Sequence, residues 1–346
     1  MSVSATTVYV QTGEARLETL RLAIVIPCYR VKAHVLDVLA AIPSEVGSIY
    51  VVDDHCPDAS GDFVQQNCTD DRVVVVRNPV NLGVGGATVA GYRAALAGDA
   101  DIIVKMDGDG QMDPAALLEL IGPIVRGEAD YSKGNRFYDL TQIRRMPAVR
   151  IVGNTALSFL TKLSSGYWDI FDPTNGYTAV HASVLARLPL DKISRRYFFE
   201  SDMLFRLNTI RAVVVDVPMD ARYGDEVSNL SIRRIAVDFS IRHLRSFGKR
   251  IFYNYFLRDL SLASLELVAG MAFLVSGALT GAFFWLQSAQ TGYFSSAGSV
   301  MLAAIQIIVG IQLILGFLAY DIASVPVRPL HVLLRGATLR REGLHE

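Results

Sequence analysis

Cysteine, tryptophan and net charge are all scarce in this chain of 346 residues. Three cysteines (Cys28, Cys56 and Cys68) are odd in number and lack metal-ligand spacing. They read as reduced thiols of a cytoplasmic protein, not as a disulfide framework. The formal net charge is −1, so no overall field draws the chain to nucleic acid. Residues 1–20 contain no apolar run, so no signal peptide is predicted. Charge is missing altogether from two long stretches, Leu267 to Leu286 and Ser299 to Tyr320.

Those stretches account for an apolar excess. The chain is 51% hydrophobic, with a mean hydropathy of +0.32. At about 1.5 Å of rise per residue, each run is long enough to cross a hydrocarbon core of roughly 30 Å. Buried core helices are the competing reading, but two such runs in succession favour the membrane. Basic residues gather beside them: Arg233, Arg234, Arg242, Arg245, Lys249, Arg250 and Arg258 before the first run, and Arg328, Arg335, Arg340 and Arg341 after the second. The link from Gln287 to Gly298 carries no charge. The positive-inside rule then predicts a multi-pass protein of the cell (inner) membrane, with both termini and the domain before the spans in the cytoplasm. Apolar residues at three- and four-residue steps from Ile235 to Tyr255, mixed with the arginines, predict an amphipathic helix lying on the cytoplasmic leaflet.

Ahead of this region, apolar strand-like runs alternate with helical patterns. Strands are expected at Arg21–Ile26, Ser48–Val52, Arg72–Val76, Asp101–Met106, Ala129–Lys133 and Ala212–Val217. Helices are expected at Ala33–Ala41, Asp58–Asn67, Gly86–Leu96 and Pro147–Leu163, with another opened by Pro114. Such alternation predicts an α/β domain with a mostly parallel sheet, which binds ligands beyond the carboxyl ends of its strands.

Polar residues cluster at those ends: Pro27 to Arg30, Asp53 to Cys56, Asn81 to Gly86, Asp107 to Gln111, and Gly134 to Arg136. The most informative is Asp107-Gly108-Asp109-Gly110-Gln111. Two carboxylates two residues apart at the mouth of a buried strand lose hydration and repel each other. A hard divalent cation, Mg²⁺ or Mn²⁺, relieves both costs and keeps coordination positions open for substrate phosphates. A solvated turn is the bland alternative. An EF-hand is excluded, because its sixth and twelfth positions would fall on Met112 and Leu118. The glycine run does not complete a dinucleotide fingerprint, since position 88 is Thr. It reads either as a helix N-terminus whose amides approach a nucleotide or as a tight turn. Glu200 and Asp202 open a helix, where dipole capping is reason enough for them. Residues 222–230, polar and containing Gly, are expected to form a loop suited to a mobile lid.

The ordered set Ile-Pro-x-Tyr, Val-Val-Asp-Asp, Asn-x-Gly-x-Gly-Gly, Asp-x-Asp-x-Gln, Gly-Asn-Arg and Asp-Pro-x-x-Gly-Tyr, followed by two apolar runs, resembles family 2 glycosyltransferases of GT-A fold. The chain is most similar to the polyprenyl-phosphate glycosyltransferases, which include dolichyl-phosphate mannose synthases and bacterial enzymes that glucosylate undecaprenyl phosphate. The resemblance implies a Rossmann-like GT-A catalytic domain at 21–230, after an arm at 1–20. Amphipathic juxtamembrane helices at 231–258, two transmembrane helices within 259–321 and a basic tail at 322–346 would follow. It implies transfer of a hexose from a UDP- or GDP-linked sugar to polyprenyl phosphate, with UDP-glucose the first donor to expect and GDP-mannose the second. By the same resemblance Pro27, Tyr29, Asp53 and Asp54 face the base and ribose, with Asn81 and Gly83 also binding the nucleotide sugar. Asp107, Asp109 and Gln111 hold the metal and diphosphate, and Arg222 reaches the diphosphate. Asp172 sits beside the sugar, and Arg136, Arg150 and Asn154 grip the acceptor phosphate. Family members assemble, which implies a homo-oligomer such as a tetramer. The chain departs from the pattern at Arg30-Val31 and His55-Cys56, both in the region that recognises the base.

A phosphate monoester has its second pKa near 6, so a lipid phosphate is a ready nucleophile at neutral pH and needs no deprotonating base. In-line attack predicts inversion at the anomeric carbon. A processive polysaccharide synthase is the rival within glycosyl transfer, but neither Trp168 nor Trp285 completes the Gln-x-x-Arg-Trp motif of those enzymes. An inactive membrane-anchored sugar-nucleotide-binding scaffold is the rival from another class. A transporter is disfavoured because the two apolar runs contain no ionisable residue.

Overall fold

The computed structural model of the chain describes residues 20–138, 148–220 and 232–335, with the backbone alone at 148–150 and 232–236. The chain folds as two compact units: residues 1–246 together with 326–346, and residues 247–325.

The first unit is built on a seven-stranded sheet in the order β3-β2-β1-β4-β6-β5-β7. The strands are β1 (Leu22–Cys28), β2 (Ser48–Asp53), β3 (Val73–Arg77), β4 (Ile102–Lys105), β5 (Tyr131–Asn135), β6 (Thr178–His181) and β7 (Val214–Pro218). β1 is buried along its whole length, as an apolar run covered on both faces should be. Helices α1 (Val35–Ala40), α2 (Ser60–Asn67), α3 (Val84–Ala97), α4 (Leu117–Val125), α5 (Ala148–Ser165), α6 (Ala182–Leu185) and α7 (Phe199–Thr209) complete the α/β fold. Leu39, Val64, Leu120 and Ile124 seal the core on Ile24, Ile26, Val51 and Val104.

All strand pairs are parallel except those of β6, which runs antiparallel to both β4 and β5. The register pairs Cys28 with Asp53 and Asp53 with Arg77, so these strands end together on one edge. Met106 extends the pairing through its amide to the Val25 carbonyl, which delivers Asp107 to the same edge. β6 is the one strand not expected from sequence. It is only four residues long, Thr-Ala-Val-His, and shows no alternation.

At the opposite edge, buried Asp130 receives the amides of Leu330 and His331 at 2.7 and 2.8 Å and that of Val213 at 2.8 Å. The His331 ring stacks on His181 with centroids 4.4 Å apart. The segment after the apolar helices thus returns to the sheet of the first unit.

α8 (Ile232–Phe252) leads from the first unit into the second. Its inner face docks Phe239 and His243 against Phe198, with ring centroids 5.5 and 4.9 Å apart. Val237, Ile241 and Leu244, at 62%, 62% and 71% exposure, form an uncovered apolar face between basic residues. That is the amphipathic pattern expected of an interfacial helix.

The second unit is a helical hairpin, α9 (Leu262–Thr291) and α10 (Ala297–Ala323). Both are long and apolar enough to cross a membrane. Within the most apolar stretch of each, only 11% and 17% of residues are buried, unlike the core helix of a water-soluble domain. Glycine permits their contact: a Cβ at Gly270 would lie 3.1 Å from the Gly310 carbonyl, and one at Gly277 3.0 Å from the Ile307 amide. The helices extend beyond the uncharged runs and take in Glu266 and Asp321 at their ends. Asp321 is buried and neutralised by Arg250 at 2.6 Å, with the Tyr255 hydroxyl also donating to it.

Candidate active site

The Asp107–Gln111 loop is both a turn and a site. Gly110 adopts φ +77°, a left-handed conformation open to glycine, and the Gln111 amide donates to Asp109 Oδ1 at 3.0 Å. Asp107 and Asp109 nevertheless line two cavities.

The first, about 780 Å³, lies over the strand ends and is walled by Pro27, Tyr29, Arg30, Asp54, Asn81 and Gly83 as well as Asp107 and Asp109. Arg196 and Tyr197 close it from the loop before α7; sequence reasoning missed them. Two adjacent arginines, Arg195 and Arg196, ahead of a helix were the available signal. Tyr29 is 44% exposed, and the Arg30 guanidinium stands 5.6 Å from its ring. Arg30 itself has φ 59°, and its amide meets Cys56 Sγ at 3.1 Å, so two of the sequence departures touch each other.

Asp54 accepts the Asn78 side-chain amide at 2.8 Å and the Leu82 and Gly83 amides at 2.9 and 2.7 Å. It therefore shapes the wall it belongs to. Asp53 does not line this cavity. Its carboxylate oxygens accept the Cys56 and Gly61 amides, both at 2.8 Å, and so brace the loop after β2. The glycine run opens α3, as a helix N-terminus, with several of its amides already bonded. The Leu82 and Gly83 amides are bound to Asp54, and the Gly86 amide donates to the Arg195 carbonyl at 3.0 Å. A Cβ at Gly85 would collide with the Ser194 carbonyl. These glycines let the 194–197 loop approach, and that loop brings Arg196 and Tyr197 to the cleft.

The second cavity, about 320 Å³, is lined by Asp107, Asp109, Gln111, Arg136 and the Thr174–Tyr177 loop. Five of its described lining residues are acids (Asp107, Asp109, Asp113, Glu119 and Asp220) against one guanidinium, Arg136. Arg136 forks onto Asp172 through Nε at 2.8 Å and a terminal nitrogen at 3.0 Å. The Asp172 side chain is 1% exposed. Burial opposes its charge, but the hydrogen bonds from Arg136 and the nearby Lys133 outweigh this and hold its carboxyl below the ordinary range. Lys133 donates to the Asp172 carbonyl from a fully buried position, and burial lowers its own pKa. Asp172 thus orients Arg136 and does not line the cavity. Asn154 does not line it either, and Arg150 opens α5 with its side chain outside the described atoms. Arg222 lies outside the described residues.

Beneath Asp107, Lys105 is fully buried with its Nζ 2.8 Å from Asp107 Oδ1 and 3.6 Å from Glu200 Oε1. Burial disfavours the ammonium, yet the two carboxylates more than restore it and raise its pKa. Burial raises the Glu200 carboxyl, with Lys105 acting against it.

The donor set fits a hard divalent cation. Among the described residues no three His, Cys, Asp or Glu side chains form a ready-made cage. Two carboxylates and an amide leave positions for phosphate oxygens, as Mg²⁺ and Mn²⁺ sites do. An anionic diphosphate also needs positive charge to sit among these acids.

The sequence pattern described as "Glycosyl transferase family 2" matches residues 23–188. The undecaprenyl-phosphate mannosyltransferase of Micrococcus luteus is 33% identical over 181 residues, which span 52% of this chain and 72% of that one. The chain belongs to glycosyl transferase family 2. Within that family it falls with the polyprenyl-phosphate glycosyltransferases. The UDP-N-acetylglucosamine–dolichyl-phosphate N-acetylglucosaminyltransferase of Methanococcus voltae is 32% identical over 154 residues, or 44% of this chain, and the match spans only 61% of that protein's length. The fold is shared with the solved glucosyl-3-phosphoglycerate synthase of Mycobacterium tuberculosis in complex with Mn²⁺, UDP and glucosyl-3-phosphoglycerate. The TM-score is 0.51 at 20% identity, covering 67% of this chain and 80% of that one. The mostly parallel sheet, with its antiparallel β6, is the GT-A catalytic fold of this family-2 chain.

Proposed function

We propose that this family-2 chain transfers a hexose from a nucleoside-diphosphate sugar to a polyprenyl phosphate at the cytoplasmic membrane surface, with inversion of the anomeric carbon. The observation that carries the reading is that Asp107 and Asp109 line both cavities. The larger cavity has the tyrosines and hydrogen-bonding loops suited to a nucleotide. The smaller has Arg136, suited to a second anion. The relatives' names supply the class of acceptor, dolichyl or undecaprenyl phosphate. The exposed apolar face of α8 and the two apolar helices suit an acceptor that arrives from the bilayer.

Pro27, Tyr29, Asp54, Asn81 and Gly83 hold the nucleoside end of the donor, with Arg196 available to its phosphates. Asp107, Asp109 and Gln111 would hold Mg²⁺ or Mn²⁺, which supplies Lewis-acid stabilisation to the leaving diphosphate when bound. Arg136, fixed by Asp172, presents a permanent charge to the acceptor phosphate. Arg150 and Asn154 on α5 and Arg222, outside the described residues, belong to the same proposal. The lipid phosphate is dianionic at neutral pH, so the chain has no base to provide and needs only to bring two anions together in line.

UDP-glucose is the first donor to test and GDP-mannose the second. The relatives' names add UDP-N-acetylglucosamine to the panel. Incubation of the full chain with undecaprenyl phosphate, Mg²⁺ and each donor, followed by NMR of the lipid product, tests donor and stereochemistry together. A β-linked lipid-phosphate hexose is expected. An α-linked product from an α-linked donor refutes inversion. Metal-dependent tightening of UDP or GDP binding without any product favours the scaffold reading.

A further inference from the structure

Lys105 and Glu200 line neither cavity, yet they end directly beneath Asp107. Lys105 Nζ sits at hydrogen-bond distance from Asp107, 2.8 Å, and at a longer ion-pair distance from Glu200, 3.6 Å. Lys105 is 1% exposed on its side chain and Glu200 14%, against 29% for Asp107, so solvent screens the Lys105–Glu200 pair little. Gly176 closes one side: a Cβ there would collide with Lys105 Nζ and lie 2.8 Å from Asp107 Oδ2. Glu200 stands in the first turn of α7, but the ammonium in front of it gives it a second partner besides the helix dipole.

We propose that Lys105 is a built-in counter-ion that neutralises Asp107 when no divalent cation is bound, and that Glu200 receives Lys105 when the cation takes Asp107 over. Both are positioning residues that act through Asp107. The inference rests on the reading of Asp107 as a cation ligand. An ammonium and a divalent cation on the same carboxylate repel each other, and although the Asp107 side chain is 29% exposed, the Lys105 ammonium behind it is buried and poorly screened. The cation alone therefore binds weakly, and the diphosphate's own negative charge makes up the deficit. The consequence is ordered loading, with the cation retained chiefly together with the donor. Glu200 lowers the cost by offering Lys105 a second carboxylate within a short shift of Nζ.

This arrangement predicts effects of opposite sign, which loss of packing does not. Mn²⁺ binding to the full chain in detergent, without nucleotide, is read by EPR titration. Lys105→Met removes the competing charge and tightens Mn²⁺ roughly tenfold. Glu200→Gln confines Lys105 to Asp107 and weakens Mn²⁺ by a similar factor. The double variant Lys105→Met/Glu200→Gln leaves no buried charge unpaired, folds where the single Lys105 variant fails, and still binds Mn²⁺ more tightly than wild type. Repeating the titration with UDP narrows the difference between wild type and the double variant. A double variant that binds Mn²⁺ no tighter than wild type, or a Glu200→Gln variant that tightens it, overturns the proposal. If wild type binds Mn²⁺ and Asp107→Asn abolishes it while the Lys105 and Glu200 variants leave it unmoved, the inference alone fails. If wild type takes up no Mn²⁺ with or without UDP and Asp107→Asn makes no difference, the metal reading fails first and the inference falls with it.

Discussion

Asp172 shows how one buried carboxylate is given a task by its neighbours. Both of its oxygens accept from the Arg136 guanidinium. Asp172→Asn keeps the shape and removes the charge that fixes the fork. It is expected to raise KM for the lipid phosphate by roughly tenfold to a hundredfold, with little change in the donor's KM. Steady-state kinetics with each substrate varied in turn checks this, and an effect confined to the donor contradicts it. Much of the cleft is legible from residue order alone, since Pro27, Tyr29, Asp54, Asn81, Gly83, Asp107, Asp109, Gln111 and Arg136 all line one cavity or the other. Asp53 was not separable from Asp54, because adjacent positions on a strand end differ only in where they point. Arg196 and Tyr197 reach the cleft through the packing of the 194–197 loop on Gly83 and Gly85, a tertiary contact that local pattern does not encode.

Elements were legible where periodicity is strong and obscure where it is short. The parallel strands and the long helices follow their apolar patterns. β6 does not, because four residues in the middle of a sheet take their conformation from β4 and β5 on either side. α8 shows the reverse: its basic, apolar sequence announces the amphipathic helix but not which residues turn inward. His243 does, and it bonds Ser164 Oγ through Nδ1 at 2.8 Å. Burial pushes the His243 pKa down to about 4 from an ordinary 6.5. The folded state therefore binds fewer protons than the unfolded one between these values. The neutral ring's stabilisation is complete above pH 6.5 and is lost as pH falls toward 4, by about 3 kcal/mol in all. Thermal unfolding followed across that range should fall more steeply in wild type than in His243→Gln; equal slopes contradict the assignment. In the hairpin, Gly277→Leu drives a side chain into the Ile307 backbone. Overpacking of this kind costs about 1–3 kcal/mol and should lower the melting temperature in detergent by several degrees. An unchanged melting temperature contradicts close packing of α9 on α10 at this point.

At the scale of the whole molecule, the apolar hairpin is inserted in the chain between two segments of the first unit. The chain leaves the first unit through α8 and returns to it at Pro326, where Asp130 fixes Leu330 and His331. An insertion between two segments of one unit suits an even number of membrane spans. Cysteines introduced at Val237 and at Arg335 should therefore label from the cytoplasmic face and one at Phe294 from the opposite face; Val237 and Arg335 labelling from different sides contradicts it. On the proposed function, the nucleotide sugar and the lipid phosphate are brought together at Asp107 and Asp109, which line both cavities. The most direct test is product formation from a radiolabelled nucleotide sugar offered undecaprenyl phosphate and a soluble phosphorylated acceptor together, with Mg²⁺, by wild type and by Asp109→Ala. The expected result is label in the lipid fraction with wild type alone. Label on the soluble acceptor, release of free sugar only, or undiminished lipid product with Asp109→Ala would contradict the central claim.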